Sequence, residues 1–405
     1  MAAGILLISE ARISTVRHLE QLGRHIAETS DLSFRSVLVK DLRASDFAPG
    51  VVPLMARGDS HSFHLLAKAL NRAEIPYVYY LDDNFWELDP STELGGYYRS
   101  NVTQLRLERI IGGAETVLVS TEALKGYLAR FGDKVHQVDA FFDFSLLPEL
   151  PPQPDNGGVV RGGFAGSIHR AVDLVEIMPD LLAVLDERTQ FEFEIIGVDP
   201  GMLPAHPRIR YFPYLDSYER YIEFQVERQW DFGLAPLSDA SANRYKTNNK
   251  YREYSAQGIP GIYSDALPYA EIVDLKTGLI AGRDRTWREA IELYIDSAEL
   301  RTAVRENARR DGEERFSLDA VAHQWLRHIE PMPGAGEPVV PIARAVGRAR
   351  RNTWVRGLPW MWVPSAFSVL VEHGGLVATV GRIPRAVGRV LQKSLRRFRG
   401  SSRGS

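Results

Sequence analysis

Lys246, Lys250 and Glu253 stand at the head of a short helical pattern, 249–257, that stops at Gly258 and runs on into Ile259, Pro260 and an apolar stretch. Residues four apart share one side of a helix, so the two ammonium groups can act together. Beside the positive end of a helix, two cations make a site for a diphosphate. One turn further in, Glu253 can accept hydrogen bonds from a diol such as a ribose. A diphosphate joined to a ribose is the core of a nucleotide-sugar. Lysines there would stabilise charge growing on a departing nucleoside diphosphate, and that role needs no metal or other cofactor. Asn249, at the first position of the pattern, belongs with the same set. The competing reading is a solvated Lys/Glu helix face.

Three further groups suit such chemistry. In Gly166-Ser167-Ile168-His169-Arg170 a glycine follows a strand-like run, so backbone N–H groups can approach a phosphate while Arg170 adds charge. A plain strand-to-helix turn with an exposed Arg170 is the alternative. Asp82-Asp83-Asn84 ends a buried apolar run. Adjacent carboxylates repel unless a cation or polar ligand is near, and one of them could take the proton of an acceptor hydroxyl. Asp and Asn also favour caps and turns. If the strand continued through them, the two side chains would point to opposite sides, leaving at most one catalytic. Tyr214, after a strand-like run at 209–212, is placed at the rim that would hold a nucleotide base. Arg57, with His61 and His64 following, is a candidate contact for an acceptor phosphate. Satisfied or exposed histidines are favoured there over a metal pair, and no metal site is assigned.

The elements that must position these groups alternate. Strand-like segments at 5–8, 34–39, 51–55, 77–81, 116–119 and 135–138 are separated by helical patterns at 13–28, 62–73, 102–111 and 122–130. A proline-rich break, 142–158, follows. Alternation then resumes, with strands at 159–164, 191–196, 209–212, 232–235 and 261–263 and helices at 172–186, 218–228, 249–257, 287–300 and 318–329. Strands joined by single helices predict parallel sheets covered on both faces. Two such units place a ligand at the carboxyl ends of both sheets. The expected organisation is a first Rossmann-like domain, 1–147, a linker, 148–158, a second Rossmann-like domain, 159–331, and a tail, 332–405.

The chain has 405 residues, 44% hydrophobic and 25% charged, which suits a soluble globular protein of two domains. With no cysteine, thiolate nucleophiles, disulfides and zinc–thiolate sites are excluded. The N-terminus has no basic start and too short an apolar run for a signal peptide, so a cytoplasmic location is expected. The net charge of -3 hides an asymmetry. The tail carries 13 Lys/Arg against 2 Asp/Glu, leaving 36 against 50 in the remainder. Ile383, Val387, Val390, Leu391, Leu395 and Phe398 follow helical spacing, with Arg382, Arg389, Lys393 and Arg396 on the other side. That is a basic amphipathic helix, and with Trp354, Trp360 and Trp362 it suits an anionic membrane surface. A solubilising tail, a helix packed on the acidic body and a nucleic-acid tail are the alternatives; the aromatic content favours the membrane, and no nucleic-acid partner is assigned. The apolar part of 358–380 is too short to span the roughly 30 Å of a bilayer core.

The second unit resembles the donor domain of GT-B glycosyltransferases. The likeness is carried by Gly163-Phe-Ala-Gly166-Ser167, Phe193-Glu-Ile-Ile-Gly197, Asp231-Phe-Gly-Leu-Ala-Pro-Leu237, the 246–260 block and Thr277-Gly-Leu279. Val119-Ser-Thr121 and Val138-Asp-Ala-Phe-Phe-Asp143 extend it to the first unit. Many retaining members carry two glutamates separated by seven residues. Glu253 stands where the second does and Tyr245 where the first does, so the ribose contact carries over and the sugar-ring contact does not. The Asn-Lys-Tyr-x-Glu-Tyr pattern at 249–254 is similar to a subgroup common in bacterial surface-polysaccharide assembly. The resemblance implies transfer of a hexosyl or deoxyhexosyl group from a nucleoside-diphosphate sugar to a hydroxyl of a glycan, lipid-linked in that setting, by a protein peripheral on the inner face of the plasma membrane. Gly166, Ser167, Arg170, Tyr214, Lys246, Asn249, Lys250 and Glu253 would hold the donor, and Asp82 and Asp83 would serve the acceptor. Helix 318–329 is expected to cross back onto the first unit. The rival readings are an inactive scaffold of this fold, recruiting an assembly complex to the membrane, and a nucleotide-sugar epimerase of similar shape.

Overall fold

A computed structural model describes residues 2–147, 157–166, 170–238 and 240–333. Ser167, most of the proline-rich break and nearly all of the basic tail lie outside these residues.

The first lobe runs β1 (Gly4–Ser9), α1 (Ser14–Thr29), β2 (Ser33–Leu38), β3 (Val51–Ala56), α2 (His61–Arg72), β4 (Val78–Leu81), α3 (Glu93–Tyr98), α4 (Asn101–Gly113), β5 (Thr116–Val119), α5 (Glu122–Tyr127) and β6 (Val135–Gln137). The second runs β7 (Val160–Ala165), α6 (Ala171–Val175), α7 (Met178–Glu187), β8 (Phe191–Ile196), β9 (Ile209–Phe212), α8 (Tyr218–Glu227), β10 (Phe232–Ala235), α9 (Asn249–Gln257), β11 (Gly261–Ser264), β12 (Leu279–Ala281) and α10 (Trp287–Asp296). Two long helices, α11 (Ala298–Phe316) and α12 (Leu318–Ile329), close the described chain.

Each lobe carries a six-stranded sheet, in the orders β2-β1-β3-β4-β5-β6 and β12-β11-β10-β7-β8-β9. All of the strand pairings are parallel. The central strands bury both faces, as the unbroken apolar run of β1 requires, whereas the edge strand β2 is partly exposed. Strand order reverses between β1 and β3 in one sheet and between β7 and β10 in the other. A parallel sheet opens a crevice at that point, where helices leave its carboxyl edge on opposite faces.

Several elements depart from the sequence reading. The helix expected over 172–186 is two helices, α6 and α7. Pro179, in the first turn of α7, has no N–H for an earlier helix to use, so the chain restarts there. Helix α3 was not expected; Gly95 and Gly96 within it are poor helix formers, and Thr92 caps it by accepting from the Gly95 N–H. Helix α11 has a stripe of one small or apolar residue per turn (Val304, Ala308, Gly312 and Phe316), too narrow to stand out from its charges. Strand β12 is only three residues long.

Helix α12 crosses back. Val321, Ala322, Trp325 and Ile329 join the first-lobe cluster that contains Ile5, Leu7 and Tyr80. The Trp325 and Tyr80 rings lie 5.2 Å apart. Gln324 and Asp139 exchange two hydrogen bonds, the Asp139 N–H to Gln324 Oε1 at 2.8 Å and Gln324 Nε2 to Asp139 Oδ2 at 3.0 Å. The last helix of the segment 159–331 is therefore part of the first lobe's packing.

Candidate functional site

The two switch points face one cleft of about 410 Å³. From the first lobe come the start of α1 (Ser14 and Thr15), Arg57 after β3, and Asp82 and Asp83 after β4. From the second come Gly166 after β7, Pro236 and Leu237 after β10, and the head of α9. The cleft collects eight of the ten residues singled out for donor and acceptor: Asp82, Asp83, Gly166, Arg170, Lys246, Asn249, Lys250 and Glu253. Ser167 lies outside the described residues. Tyr214 is not among the cleft walls; it is 61% exposed, and its ring lies over Gly197. Gly197, at φ +83°, is pressed against the Gly166 carbonyl, so a side chain there would collide with backbone.

Helix α9 is polar in sequence and buried in fact. Tyr251 to Gln257 are all buried, including Arg252, Glu253 and Gln257. A solvated Lys/Glu face is therefore excluded. Buried polar groups call for partners; Arg252 and Glu253 have theirs, and Gln257 donates through Nε2 to Gln225 Oε1 at 3.0 Å. Glu253 accepts from Lys250 Nζ at 2.7 Å, from the Tyr221 hydroxyl at 3.0 Å and from the Tyr218 hydroxyl at 3.4 Å. Burial first, and then the Glu253 charge, push both phenols well above their usual range, so both stay protonated and donate. Arg252 donates to the Phe141 carbonyl of the first lobe at 2.6 Å and to Asn248 and Asn249. Asn249 also accepts from Thr247 Oγ1 at 2.7 Å.

Lys246 and Lys250 are not one helical turn apart. The helix starts at Asn249, and Lys246 lies before it in extended backbone. Lys250 is committed to Glu253 and Tyr221. Arg170 lines the cleft with Lys246 and is the cation whose charge acts on it. Burial holds the Lys246 ammonium below its usual range, Arg170 adds repulsion, and Asp83 and Asp173 oppose both. Arg170 itself donates to Asp173 at 2.8 Å. A partly desolvated pair of cations in a cleft is relieved by an anion.

Across the cleft, Arg57 joins the two aspartates. Its Nη1 donates to Asp82 Oδ1 at 2.5 Å and to Asp83 Oδ2 at 3.0 Å. Thr15 donates to Asp82 Oδ2 at 2.6 Å. Both oxygens of Asp82 are thus used. Burial pushes its pKa up, Arg57 opposes this, and the neighbouring Asp83 charge adds to it. Asp83 is the more open, its side chain 42% exposed against 17% for Asp82. The strand ends at Leu81, so alternation of side chains does not extend to this pair, and both turn to one guanidinium. Arg57 holds a left-handed backbone, φ +51°, a cost that surrounding contacts must offset. Its Nη1 is taken by the two carboxylates, an engagement that the sequence reading of Arg57 as a contact for an acceptor phosphate did not include. Among the described residues no group of three or more metal-ligating side chains is assembled.

Tyr245 packs on the first lobe, its ring 5.5 Å from that of Tyr127 and its carbonyl accepting from Thr121 Oγ1 at 3.3 Å.

Two parallel Rossmann-like sheets facing across such a cleft define the GT-B fold, and this chain has it. Among solved structures, Anabaena HepE, determined with UDP and glucose, is similar at 12% identity, a TM-score of 0.54, and coverage of 81% of this chain and 100% of that one. A sucrose-phosphate synthase from Thermosynechococcus elongatus is similar at 13% identity and TM-score 0.56, covering 81% and 98%. A glycosyltransferase from Rickettsia africae is similar at 12% identity and TM-score 0.53, covering 82% and 98%. No family model matches the sequence, and no curated protein matches it.

Proposed function

We propose that this chain is a glycosyltransferase that takes a sugar from a nucleoside-diphosphate donor on the second lobe and passes it to a hydroxyl presented by the first. The observation that carries the reading is the Arg170–Lys246 pair, held in the cleft opposite Asp83. The pair would hold the diphosphate; Gly166 lets it approach the backbone, and Glu253, held by two tyrosines, would bind the ribose. The solved complex of HepE with UDP supports a nucleotide-sugar as donor. In the reaction the bond from the sugar's anomeric carbon to the diphosphate breaks, and its electron pair stays with the diphosphate oxygen. Arg170 and Lys246 stabilise that charge. The acceptor oxygen bonds the anomeric carbon, and its proton passes to the open oxygen of Asp83. Asp82, with both oxygens engaged, holds Arg57 in place.

The acceptor we infer is a hydroxyl of a lipid-linked glycan in surface-polysaccharide synthesis, with the basic tail holding the enzyme to the inner face of the plasma membrane. The tail's charge and aromatic content support this. Among the described residues no helix is long and apolar enough to cross a membrane.

Tyr245 in place of a glutamate favours one second reading: an inactive scaffold of the same fold. Calorimetry of the full chain against uridine, guanosine, adenosine and thymidine diphosphates separates the two. The enzyme reading expects one of them to bind, and Lys246→Ala to weaken it about tenfold to a hundredfold, the worth of a charged hydrogen bond. Binding of none of the four overturns it.

A further inference from the structure

A second cavity, of about 500 Å³, opens beside the donor cleft on the second lobe. It lies at the carboxyl ends of β10, β11 and β12, and Leu237 and Tyr269 line both spaces. None of the residues assigned to donor or acceptor chemistry lines it. Its size is that of an ordinary small-ligand site.

Its walls carry three arginines (Arg244, Arg283 and Arg285) and three aspartates (Asp265, Asp274 and Asp284), so their charges cancel. Two of the pairs are bidentate. Arg283 donates to Asp265 through Nε at 2.7 Å and Nη2 at 2.5 Å. Arg285 donates to Asp274 through Nη1 at 3.0 Å and Nη2 at 3.3 Å. The Arg283–Asp265 pair keeps unused carboxylate lone pairs beside unused guanidinium N–H groups, whereas Asp274 also accepts from the Ile280 N–H at 2.9 Å. A ligand that fits must donate and accept at neighbouring atoms. An anion would meet three carboxylates at short range, and a cation three guanidiniums. Ala266, Leu267, Pro268 and Ile272 add apolar wall beside these pairs. Leu267 is 55% exposed at the cavity, next to Pro268.

Vicinal hydroxyls that donate and accept, above a C–H face that prefers an apolar floor, describe a neutral pyranose. We propose that the second cavity is a subsite for a neutral saccharide: the stretch of the acceptor glycan behind the hydroxyl that reacts in the cleft. This rests on the glycosyltransferase reading, which would set the reacting end at Asp83, and the shared walls at Leu237 and Tyr269 give the chain a continuous path.

The test uses the full chain with methyl-labelled leucine, titrated with neutral trisaccharides of glucose, galactose, mannose and N-acetylglucosamine. The expected result is a saturable shift of the Leu267 methyl resonances by at least one of them. Inorganic phosphate should leave those resonances in place. Arg283→Ala should weaken the saccharide at least about tenfold, the lower end for a charged hydrogen bond. Thermal melting checks that this variant, altered at an exposed side chain, is folded. A Leu267 methyl that stays in place with all four sugars, an equal response to phosphate, or unchanged affinity in folded Arg283→Ala each overturns the subsite. Nucleoside-diphosphate calorimetry on the wild-type chain tests the enzyme reading separately, so a saccharide that binds where no nucleotide does would leave the subsite standing and the transferase reading lost.

Discussion

Asp82 and Asp83 are adjacent in sequence and unlike in setting. Asp82 is clamped by Thr15 and Arg57, while Asp83 keeps one oxygen open to the cleft. Their amide variants should therefore separate. Asp83→Asn should lower sugar transfer by about 10²- to 10⁴-fold, the range for a lost general base, with little change in melting temperature. Asp82→Asn should cost about 1–3 kcal/mol of stability, because it leaves the Arg57 guanidinium short of its partner. Transfer assays and thermal melts on both variants decide it; the reverse pattern would exchange their roles. His18 offers a pH prediction. Its ring lies 5.3 Å from Phe141 and 6.2 Å from Tyr218, in the seam between the lobes. The residue as a whole stays exposed, but the surroundings of its ring are partly desolvated; that desolvation first, then Arg252, lower its pKa below 6.5, against weaker opposition from Ser14, Glu253 and Asp143. The native state thus favours neutral imidazole, and the unfolded chain takes the proton more readily. The contribution to stability is complete above pH 6.5 and is lost as pH falls toward the lowered native value. Denaturant unfolding across this range should show the loss in the wild type and not in His18→Asn.

At the scale of elements, α9 and α12 matter most. Helix α9 carries Lys250 and Glu253 toward the cleft and Arg252 toward Phe141 of the first lobe, so one helix binds and braces at once. Its end is set by Gly258 at φ +66°, where an added Cβ would also come within 2.9 Å of Arg305 Nε. Helix α12 fastens the end of the second segment to the first lobe through Trp325, which is 2% exposed. Trp325→Ala should cost about 3–5 kcal/mol, as for other large buried aromatics, read as a lower denaturant midpoint. Should the midpoint stay in place, α12 is not the brace its packing indicates. The positions of most strands were readable because parallel strands buried on both faces leave apolar runs. The missed elements lacked such a mark: α3 is rich in glycine, α11 is charged almost all round, and β12 is very short.

For the whole molecule, an acidic body and a basic tail predict membrane attachment that depends on the tail. The full chain should co-sediment with vesicles containing anionic lipid and detach at high salt, since each basic residue near such a surface contributes about 1 kcal/mol that salt screens. A chain ending at residue 333 should stay in the supernatant. Co-sedimentation of that shortened chain would place the attachment elsewhere. The alternation of strands and helices and the double-lobed plan were legible along the chain, as was the choice of Lys246, Lys250, Glu253 and the two aspartates as residues of one cleft, because each depends on residue type and local spacing. Partnership was not legible. Lys246 stands with Arg170 rather than Lys250, and Arg57 with Asp82 and Asp83, because the switch points of two sheets bring separate loops to one cleft. Local spacing cannot encode that meeting; it depends on how strands are ordered within each sheet and on which faces the lobes present to each other.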